Sequence, residues 1–285
     1  MSIDMTELSK WGGVCAAAGL MLVATVGSAT ADGYEGGNYQ IAAPTADEGR
    51  KFSYSFNIGV TSDYVFRGFS QTSRDPALQG GFDLGYGIAY LGMWASGVDF
   101  DNGVLPATTG QNANAEIDLY AGFKPTWRGA EFDFGVIYYF YPGASDRGAE
   151  LDMVELKAGV SGTLAPNLTA GVTVYWSPEY TGETGNVWTF EGKAGYQFRK
   201  VGVFTPTVSG TLGVQLGDDA AWRAAFGNGR DDYVYWNAGL DLAVDNISFD
   251  FRYWDTNVSN SGAFCDGPIF QCGEAFVFTL KVSVP

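Results

Sequence analysis

Apolar and polar residues alternate with a period of two along most of this chain, and this pattern constrains the fold more than any other feature. The clearest run covers residues 247–255, where Ile247, Phe249 and Phe251 alternate with serine, aspartate and arginine. Strict alternation over eight or more residues is typical of a β-strand and not of a helix. Similar runs recur from residue 52 almost to the last residue, and together they predict about twelve strands.

The composition restricts how such strands can be arranged. The chain is 46% hydrophobic and 15% aromatic, yet its apolar residues are spread over short runs. No internal stretch approaches the roughly 20 consecutive apolar residues that a membrane-spanning helix needs. In lipid, only helices and closed barrels satisfy every backbone hydrogen bond. The sequence therefore predicts an all-β fold, a transmembrane antiparallel up-and-down β-barrel.

The lengths of the connections between the predicted strands support the same architecture. Starting from the first strand, long connections rich in polar residues and glycine alternate regularly with short ones. Outer-membrane barrels have short periplasmic turns and long extracellular loops. A β-sandwich also contains many short strands, but nothing in that fold requires loop lengths to alternate. We therefore expect the long loops on the outside of the cell.

The first fifty residues differ from the rest. Lys10 precedes an apolar and small-residue stretch, and Ala29-Thr30-Ala31 matches an A-x-A cleavage site. This pattern predicts a signal peptide over residues 1–31, cleaved between Ala31 and Asp32. Residues 32–51 are polar, rich in glycine and without periodicity, which indicates a flexible lead-in. The barrel is expected over residues 52–285, and export would carry it to the bacterial outer membrane.

Charge and residue types exclude several classes of function. The net charge is −16, and nucleic-acid binding depends on Lys and Arg that neutralise phosphates, so no nucleic-acid partner is expected. The chain contains no histidine, the usual general base near neutral pH, which argues against an enzyme. No metal ligand set and no cofactor site are expected either.

Two of the three cysteines lie close together near the C-terminus. Cys15 falls within the predicted signal peptide, whereas Cys265 and Cys272 would remain in the exported protein. In an oxidising compartment such a pair predicts a disulfide that closes a small loop.

In each predicted strand, the alternate positions that carry polar residues (the polar parity) are expected to face the inside of the barrel. A lysine or arginine that faces lipid at mid-depth costs about 2–4 kcal/mol, so inward placement of charges is favoured. The predicted pore-lining residues are Asp63, Arg67, Asp83, Glu116, Asp118, Lys124, Asp133, Glu155, Lys157, Glu191, Lys193, Asp241, Asp250, Arg252 and Lys281.

These charges allow two interpretations. The lumen is either hydrated and weakly cation-selective, because acids outnumber bases, or plugged by acids and bases that pair across it. Arg67 with neighbouring Asp63, and Arg252 with neighbouring Asp250, are expected to be structural pairs. Aromatic residues at the strand ends indicate rings at the membrane interfaces.

Several segments resemble the TorF family of porins. The resemblance is carried by Ser62-Asp-Tyr-Val-Phe-Arg-Gly68, Ser70-Gln-Thr72, Pro76-Ala-Leu-Gln-Gly80, Tyr90-Leu-Gly-Met-Trp-Ala-Ser96, Val98-Asp-Phe100 and Glu116-Ile-Asp-Leu-Tyr-Ala-Gly122. It is strongest over about the first quarter of the exported chain. The resemblance implies an outer-membrane porin-like barrel and brings no catalytic residues or agreed substrate.

Together these observations predict a porin for passive diffusion of ions and small polar solutes. Its partners would be outer-membrane lipid and lipopolysaccharide on the outer face and the diffusing solutes inside. The alternative is a closed structural or adhesin-like barrel that presents its loops and transports nothing.

Overall fold

The computed structural model describes residues 52–100, 113–144, 150–226, 229–258, 265 and 270–284. The predicted signal peptide, its cleavage site and the lead-in lie outside the described residues. Within the described part of the chain there are fifteen strands and one short helix, α1 (Ala220–Ala225).

The strands follow one another with few interruptions. In chain order they are β1 (Phe52–Thr61), β2 (Val65–Phe66), β3 (Phe69–Ser70), β4 (Ala77–Tyr86), β5 (Ala89–Gly97), β6 (Ala115–Phe123), β7 (Thr126–Trp127), β8 (Ala130–Phe140), β9 (Met153–Ala165), β10 (Leu168–Ser177), β11 (Val187–Gln197), β12 (Thr205–Gly217), β13 (Asp232–Val244), β14 (Ile247–Thr256) and β15 (Ala275–Val284). The twelve long strands form the wall of a barrel, and β2, β3 and β7 are two-residue strands in its connections.

The wall is a single closed antiparallel sheet. Each long strand pairs with its chain neighbours, β6 pairs with β8, and β1 pairs with β15 to complete the circle. In that closing pair Phe56 lies opposite Val284 and Thr61 lies opposite Thr279. Because the sheet closes on itself, none of the twelve strands has an unpaired edge. The predicted fold class and strand number are confirmed.

The two ends of the barrel differ in the way that the sequence predicts. At the short-turn end, strands are joined by segments 87–88, 124–129, 166–167, 198–204 and 245–246. At the long-loop end, the connections are 62–76, 98–114, 141–152, 178–186, 218–231 and 257–274. Asn167 and Asp245 have φ values of 66° and 50°, which suits the tight two-residue hairpins in which they lie.

Side chains alternate between the inside and the outside of the wall. In β1, Phe52, Tyr54 and Phe56 are 47–63% exposed, while the serines between them are half-buried. The same pattern gives the barrel an apolar outer surface around most of its circumference. Soluble monomers rarely expose continuous apolar patches of more than a few hundred Å². This outer face is therefore a lipid-facing surface.

No described helix is long and apolar enough to cross a membrane.

The aromatic residues at the strand ends are divided by parity. Tyr138 and Trp236 face outwards with exposures of 37% and 39%, as expected of interfacial rings. Their neighbours Tyr139 and Tyr235 are at most 1% exposed and lie inside the barrel. The expectation that all of these clusters lie at membrane interfaces is therefore corrected: about half of the rings fill the lumen instead.

The apolar outer face predicts the effect of a single charge placed in its middle. Leu212 lies near the centre of β12 and is 61% exposed, so Leu212→Arg should lower the free energy of unfolding by about 2–4 kcal/mol. The measurement is urea unfolding of the protein in lipid vesicles.

Val203→Arg is the matched control for that substitution. Val203 is 59% exposed but lies in the short 198–204 turn, where a charge reaches water and should cost about 0–1 kcal/mol. Equal losses for both variants would contradict the lipid-facing assignment.

Candidate functional site

The connection between β1 and β4 folds into the barrel instead of standing outside it. Its two short strands, β2 and β3, pair only with each other in the described sheets and form a hairpin. Residues 65–70 are called the plug hairpin below. Tyr64, Arg67 and Phe69, within and beside this hairpin, are 1–3% exposed. A segment that is this deeply buried occupies the lumen.

The turn of the plug hairpin requires a glycine. Arg67 and Gly68 are its two central residues, with φ values of 49° and 85°, and positive φ at both positions is typical of a type I′ turn. A Cβ atom on Gly68 would clash with Thr256 Cγ2 and lie 3.0 Å from Tyr235 Cβ. The turn therefore packs directly against β13 and β14, and the residue before the glycine is carried into the lumen near the long-loop ends of the strands.

Arg67 forms the main polar contact between the plug hairpin and the wall. Its two terminal guanidinium nitrogens donate to the carboxylate oxygens of Glu155 at 2.7 and 2.9 Å. Both side chains are 1% exposed. The Tyr139 hydroxyl donates to the same carboxylate at 2.9 Å. A buried, two-pronged arginine–carboxylate pair of this kind fixes geometry as well as charge.

Aromatic rings surround the Arg67 guanidinium. It lies 4.7 Å from the ring centroid of Phe66 and 4.9 Å from that of Tyr175, both within cation–π range. The Tyr233 hydroxyl lies 3.1 Å from the Arg67 carbonyl oxygen and 3.0 Å from Gln215 Oε1. The hairpin is thus held at its tip by charge, by ring faces and by the backbone.

The base of the plug hairpin is held by hydroxyl groups. Ser70 and Thr72 donate to the same Asp63 carboxylate oxygen at 2.6 and 3.0 Å. Burial raises the pKa of Asp63, and the two hydroxyl donors oppose that rise. The Tyr64 hydroxyl donates to Glu116 on β6 at 2.7 Å. Burial, followed by the nearby Glu116 carboxylate, raises the pKa of Tyr64 well above its usual value, so this hydroxyl keeps the proton that it donates.

Thirteen of the fifteen predicted pore-lining residues lie on or directly beside barrel strands, on the inner parity. They are Asp83, Glu116, Asp118, Lys124, Asp133, Glu155, Lys157, Glu191, Lys193, Asp241, Asp250, Arg252 and Lys281. Asp63 and Arg67 differ, because they belong to the inward-folded loop and not to the wall. Arg67 also pairs with Glu155 rather than with Asp63, which corrects the expected pair.

Several wall charges form a second cluster nearer the short turns. Lys157 donates to Asp133 at 2.8 Å, and the Tyr90 hydroxyl donates to the same carboxylate at 2.7 Å. The Lys124 ammonium lies 3.9 Å from the carboxylate of Glu131, a luminal acid outside the predicted set. The Asp83 carboxylate accepts from Ser55 at 3.1 Å and from Tyr120.

A third cluster surrounds Arg252 on the opposite wall. Arg252 donates to Asp250 at 2.8 and 3.0 Å, to Asn237 at 2.7 Å and to Ser209 at 3.0 Å. The structure thus contains the pair expected between Arg252 and Asp250. Asp241 lies directly opposite Asp250 in the register of β13 and β14.

Glu191 completes the set of buried luminal acids. It accepts from the Tyr235 hydroxyl at 2.6 Å and lies 3.2 Å from the Lys193 ammonium.

The solvent exposure of the inward-facing side chains changes along the axis of the lumen. Next to the plug hairpin, wall residues such as Asp118, Tyr139 and Gln215 are at most 1% exposed. Towards the short turns of β9 to β14, inward-facing residues such as Ser161 and Asp241 are only half-buried. The lumen is therefore accessible from its short-turn end, and towards the long loops it is filled by the plug hairpin together with buried side chains of other long loops, such as Tyr180 and Trp222.

The most important luminal residues outside the predicted set are tyrosines. Tyr139 and Tyr233 share the inner parity of Asp133 and Asp241 on their own strands, and this parity was the signal that could have identified them. Their rings fit inside because the inner face is rich in glycine. A Cβ atom on Gly213, for example, would overlap the ring of Tyr235.

The last loop is closed by a disulfide between Cys265 and Cys272, as the spacing of the cysteines suggests. Cys272 is fully buried, and its carbonyl oxygen accepts from the Thr256 hydroxyl at 2.7 Å. Thr256 also contacts the turn of the plug hairpin, so this loop supports the hairpin from the β14 side. Among the described residues, no group of three cysteine or acidic side chains is placed to hold a metal ion.

The Arg67–Glu155 pair predicts a non-additive effect of mutation. Arg67→Met leaves a buried carboxylate without its cation and should lower the free energy of unfolding by about 3–5 kcal/mol, whereas Arg67→Met with Glu155→Met should recover most of that loss. Urea unfolding in lipid measures both.

Arg230→Met provides the comparison for a pair at the surface. Arg230 and Asp232 are 55% and 38% exposed, so the loss should stay below about 1 kcal/mol. A loss for Arg67→Met no larger than this would show that the buried pair does not hold the hairpin.

Comparison with solved structures shows which proteins the chain is similar to. The chain is similar to the NanC porin, with 12% identity and a TM-score of 0.48 over 82% of this chain and 100% of that one. It is similar to the KdgM porin, with 8% identity and a TM-score of 0.49 over 81% and 98%. It is also similar to LpxR from Salmonella typhimurium, with 10% identity and a TM-score of 0.42 over 80% of this chain and 99% of that one. At these identities the likeness concerns the barrel alone.

Among curated proteins, no sequence matches the chain. Residues 45–284, by contrast, match a family that is described as "Bacterial protein of unknown function (Gcw_chp)". The match includes every strand of the barrel and the plug hairpin, and the chain therefore belongs to the Gcw_chp family of bacterial proteins.

Proposed function

We propose that this protein is a gated porin of the bacterial outer membrane, through which ions and small polar solutes diffuse passively. The apolar outer face contacts lipid, and the long loops contact lipopolysaccharide on the outside of the cell. Solutes pass through the polar lumen when the plug hairpin moves out of it. The protein needs no cofactor and catalyses no reaction, since the chain has no histidine for general-base chemistry.

The observation that carries this proposal is that a loop, and not the wall, closes the lumen. The plug hairpin is outside the barrel sheet, so it can leave the lumen without breaking any pairing between the twelve wall strands. Its main polar contact with the wall is the Arg67–Glu155 pair, whose charged groups water can solvate once the hairpin moves.

The charges of the lumen support a weak preference for cations. Of the fifteen predicted lining residues, nine are acidic and six are basic. Asp241 and Asp250 lie side by side in the half-buried part of the lumen, where they act on passing ions more directly than fully buried carboxylates. Rings of acidic side chains favour cations in channels.

A closed structural barrel is the second candidate, and a specific observation favours it. The side chains that meet at the hairpin tip are only 1% exposed, so the closed form is well packed; they are Arg67, Glu155 and Tyr139. If the hairpin never moves, the barrel stabilises the membrane or presents its long loops to other surfaces. Single-channel recording separates the two candidates.

Selectivity provides the first electrical prediction. The protein in a planar bilayer under a salt gradient should show stepwise openings with a reversal potential that favours cations. Asp241→Asn combined with Asp250→Asn removes two luminal charges and should shift that potential towards zero. Asp75→Asn removes an exposed loop charge and should leave it unchanged. A folded protein that never opens would contradict the porin and support the closed barrel.

Gating by the plug hairpin provides the second electrical prediction. Gly68→Ala introduces a clash with Thr256 at a residue whose φ is +85°, so it should destabilise the seated hairpin and raise the open probability severalfold. Gly87→Ala is the matched control, because φ is +62° there but no atom lies within 4 Å of the added Cβ. Both variants carry similar backbone strain of about 1–2 kcal/mol. Equal open probabilities for the two variants would contradict gating by the hairpin.

A further inference from the structure

An aromatic cavity lies between the plug hairpin and the long loops. Its volume is about 240 Å³, and its wall includes Phe66 and Phe69 from the hairpin. Tyr180 from the β10–β11 loop and Phe226 directly after α1 contribute the opposite side. The cavity therefore borders both the moving part and the fixed part of the proposed gate.

The rings around this cavity are arranged edge to face. Phe226 meets Phe69 at a centroid distance of 5.7 Å and an angle of 84°, and Tyr180 at 5.6 Å and 81°. Phe69 also meets Tyr233 at 5.2 Å and 80°. Such walls present both ring faces and ring edges, which is the environment that another aromatic ring prefers.

The polar groups in the wall are already engaged with the protein. The Thr181 hydroxyl donates to the Leu151 carbonyl, and the Thr184 hydroxyl donates to the Thr181 carbonyl, each at 2.9 Å. Gln71 Nε2 donates to the Phe69 carbonyl at 2.9 Å. None of the described residues that line the cavity has a formal charge. A charged ligand would lose its hydration without a partner, which is costly.

We propose that this cavity binds a small uncharged aromatic compound of one or two rings, and that the bound compound keeps the plug hairpin in the lumen. The size fits, because an apolar cavity of about 150 Å³ already holds benzene. The compound would contact Phe66 and Phe69 only while the hairpin is seated. A ligand that binds one state more tightly shifts the population towards it. The regulatory part of this inference rests on the proposed function; the binding site does not.

Binding is tested with indole as the probe, by calorimetry on the folded protein in detergent micelles. Ala225 lines the cavity, so Ala225→Trp should fill it and weaken indole binding at least tenfold. Ala224→Trp adds the same side chain at an exposed position of α1 that does not line the cavity, and should bind like the wild type. Because all three proteins share the micelles, partition of indole into detergent cancels.

The same titration has two outcomes that would overturn the proposal. One is equal indole affinity in the wild type and Ala225→Trp, which would place any binding elsewhere. The other is benzoate at neutral pH binding as tightly as indole, which would contradict an uncharged ligand.

Conductance separates this inference from the proposed function. Indole should lower the open probability of the wild type severalfold and leave that of Ala225→Trp unchanged. Channels that open but do not respond to indole would overturn the regulation and leave the porin intact. Indole binding that Ala225→Trp removes, in a protein that never opens, would support the site and overturn the porin.

Discussion

Closure of the sheet is the constraint on which the rest of this structure depends. A barrel in lipid has no water to satisfy a free strand edge, so β1 and β15 must pair and all twelve wall strands must join one circle. Closure divides the side chains of every strand between lipid and lumen. It also fixes an interior that must be hydrated or filled, and each charged residue placed inside needs either water or a partner.

The structure meets this requirement differently along the axis of the barrel. Near the short turns, hydroxyl groups, glycines and half-buried carboxylates leave room for water. Near the long loops, the plug hairpin fills the lumen, and Arg67 neutralises Glu155 from a position 88 residues away in the chain. Such a pair stabilises the fold little more than apolar side chains of the same volume would. Losing one partner alone, however, strongly destabilises the protein. It therefore determines where the hairpin lies more than it adds to stability.

The barrel was predictable from the sequence because alternation and closure follow from local chemistry. The ionisable residues of β6, β9 and β14 follow the same alternation. The plug hairpin was not predictable in the same way, since residues 62–72 have the composition of a strand end followed by a loop. Nothing local distinguishes Asp63 from Glu155 as the partner of Arg67. That choice depends on Gly68, whose turn directs the arginine away from its sequence neighbour and towards β9.

The central claim is that the plug hairpin is seated in the lumen against β14. An ideal Cβ atom at residue 68 would lie 3.8 Å from Thr256 Cβ, which is the mean separation in disulfides. Thr256→Cys also removes the Cγ2 atom with which a Cβ atom at residue 68 would clash. Gly68→Cys with Thr256→Cys should therefore cross-link on oxidation in lipid vesicles, as mass spectrometry of the digested protein would show. Gly87→Cys with Thr256→Cys, at opposite ends of the barrel, should not. If both engineered thiols at 68 and 256 stay free and react with a water-soluble label, the hairpin does not plug the barrel.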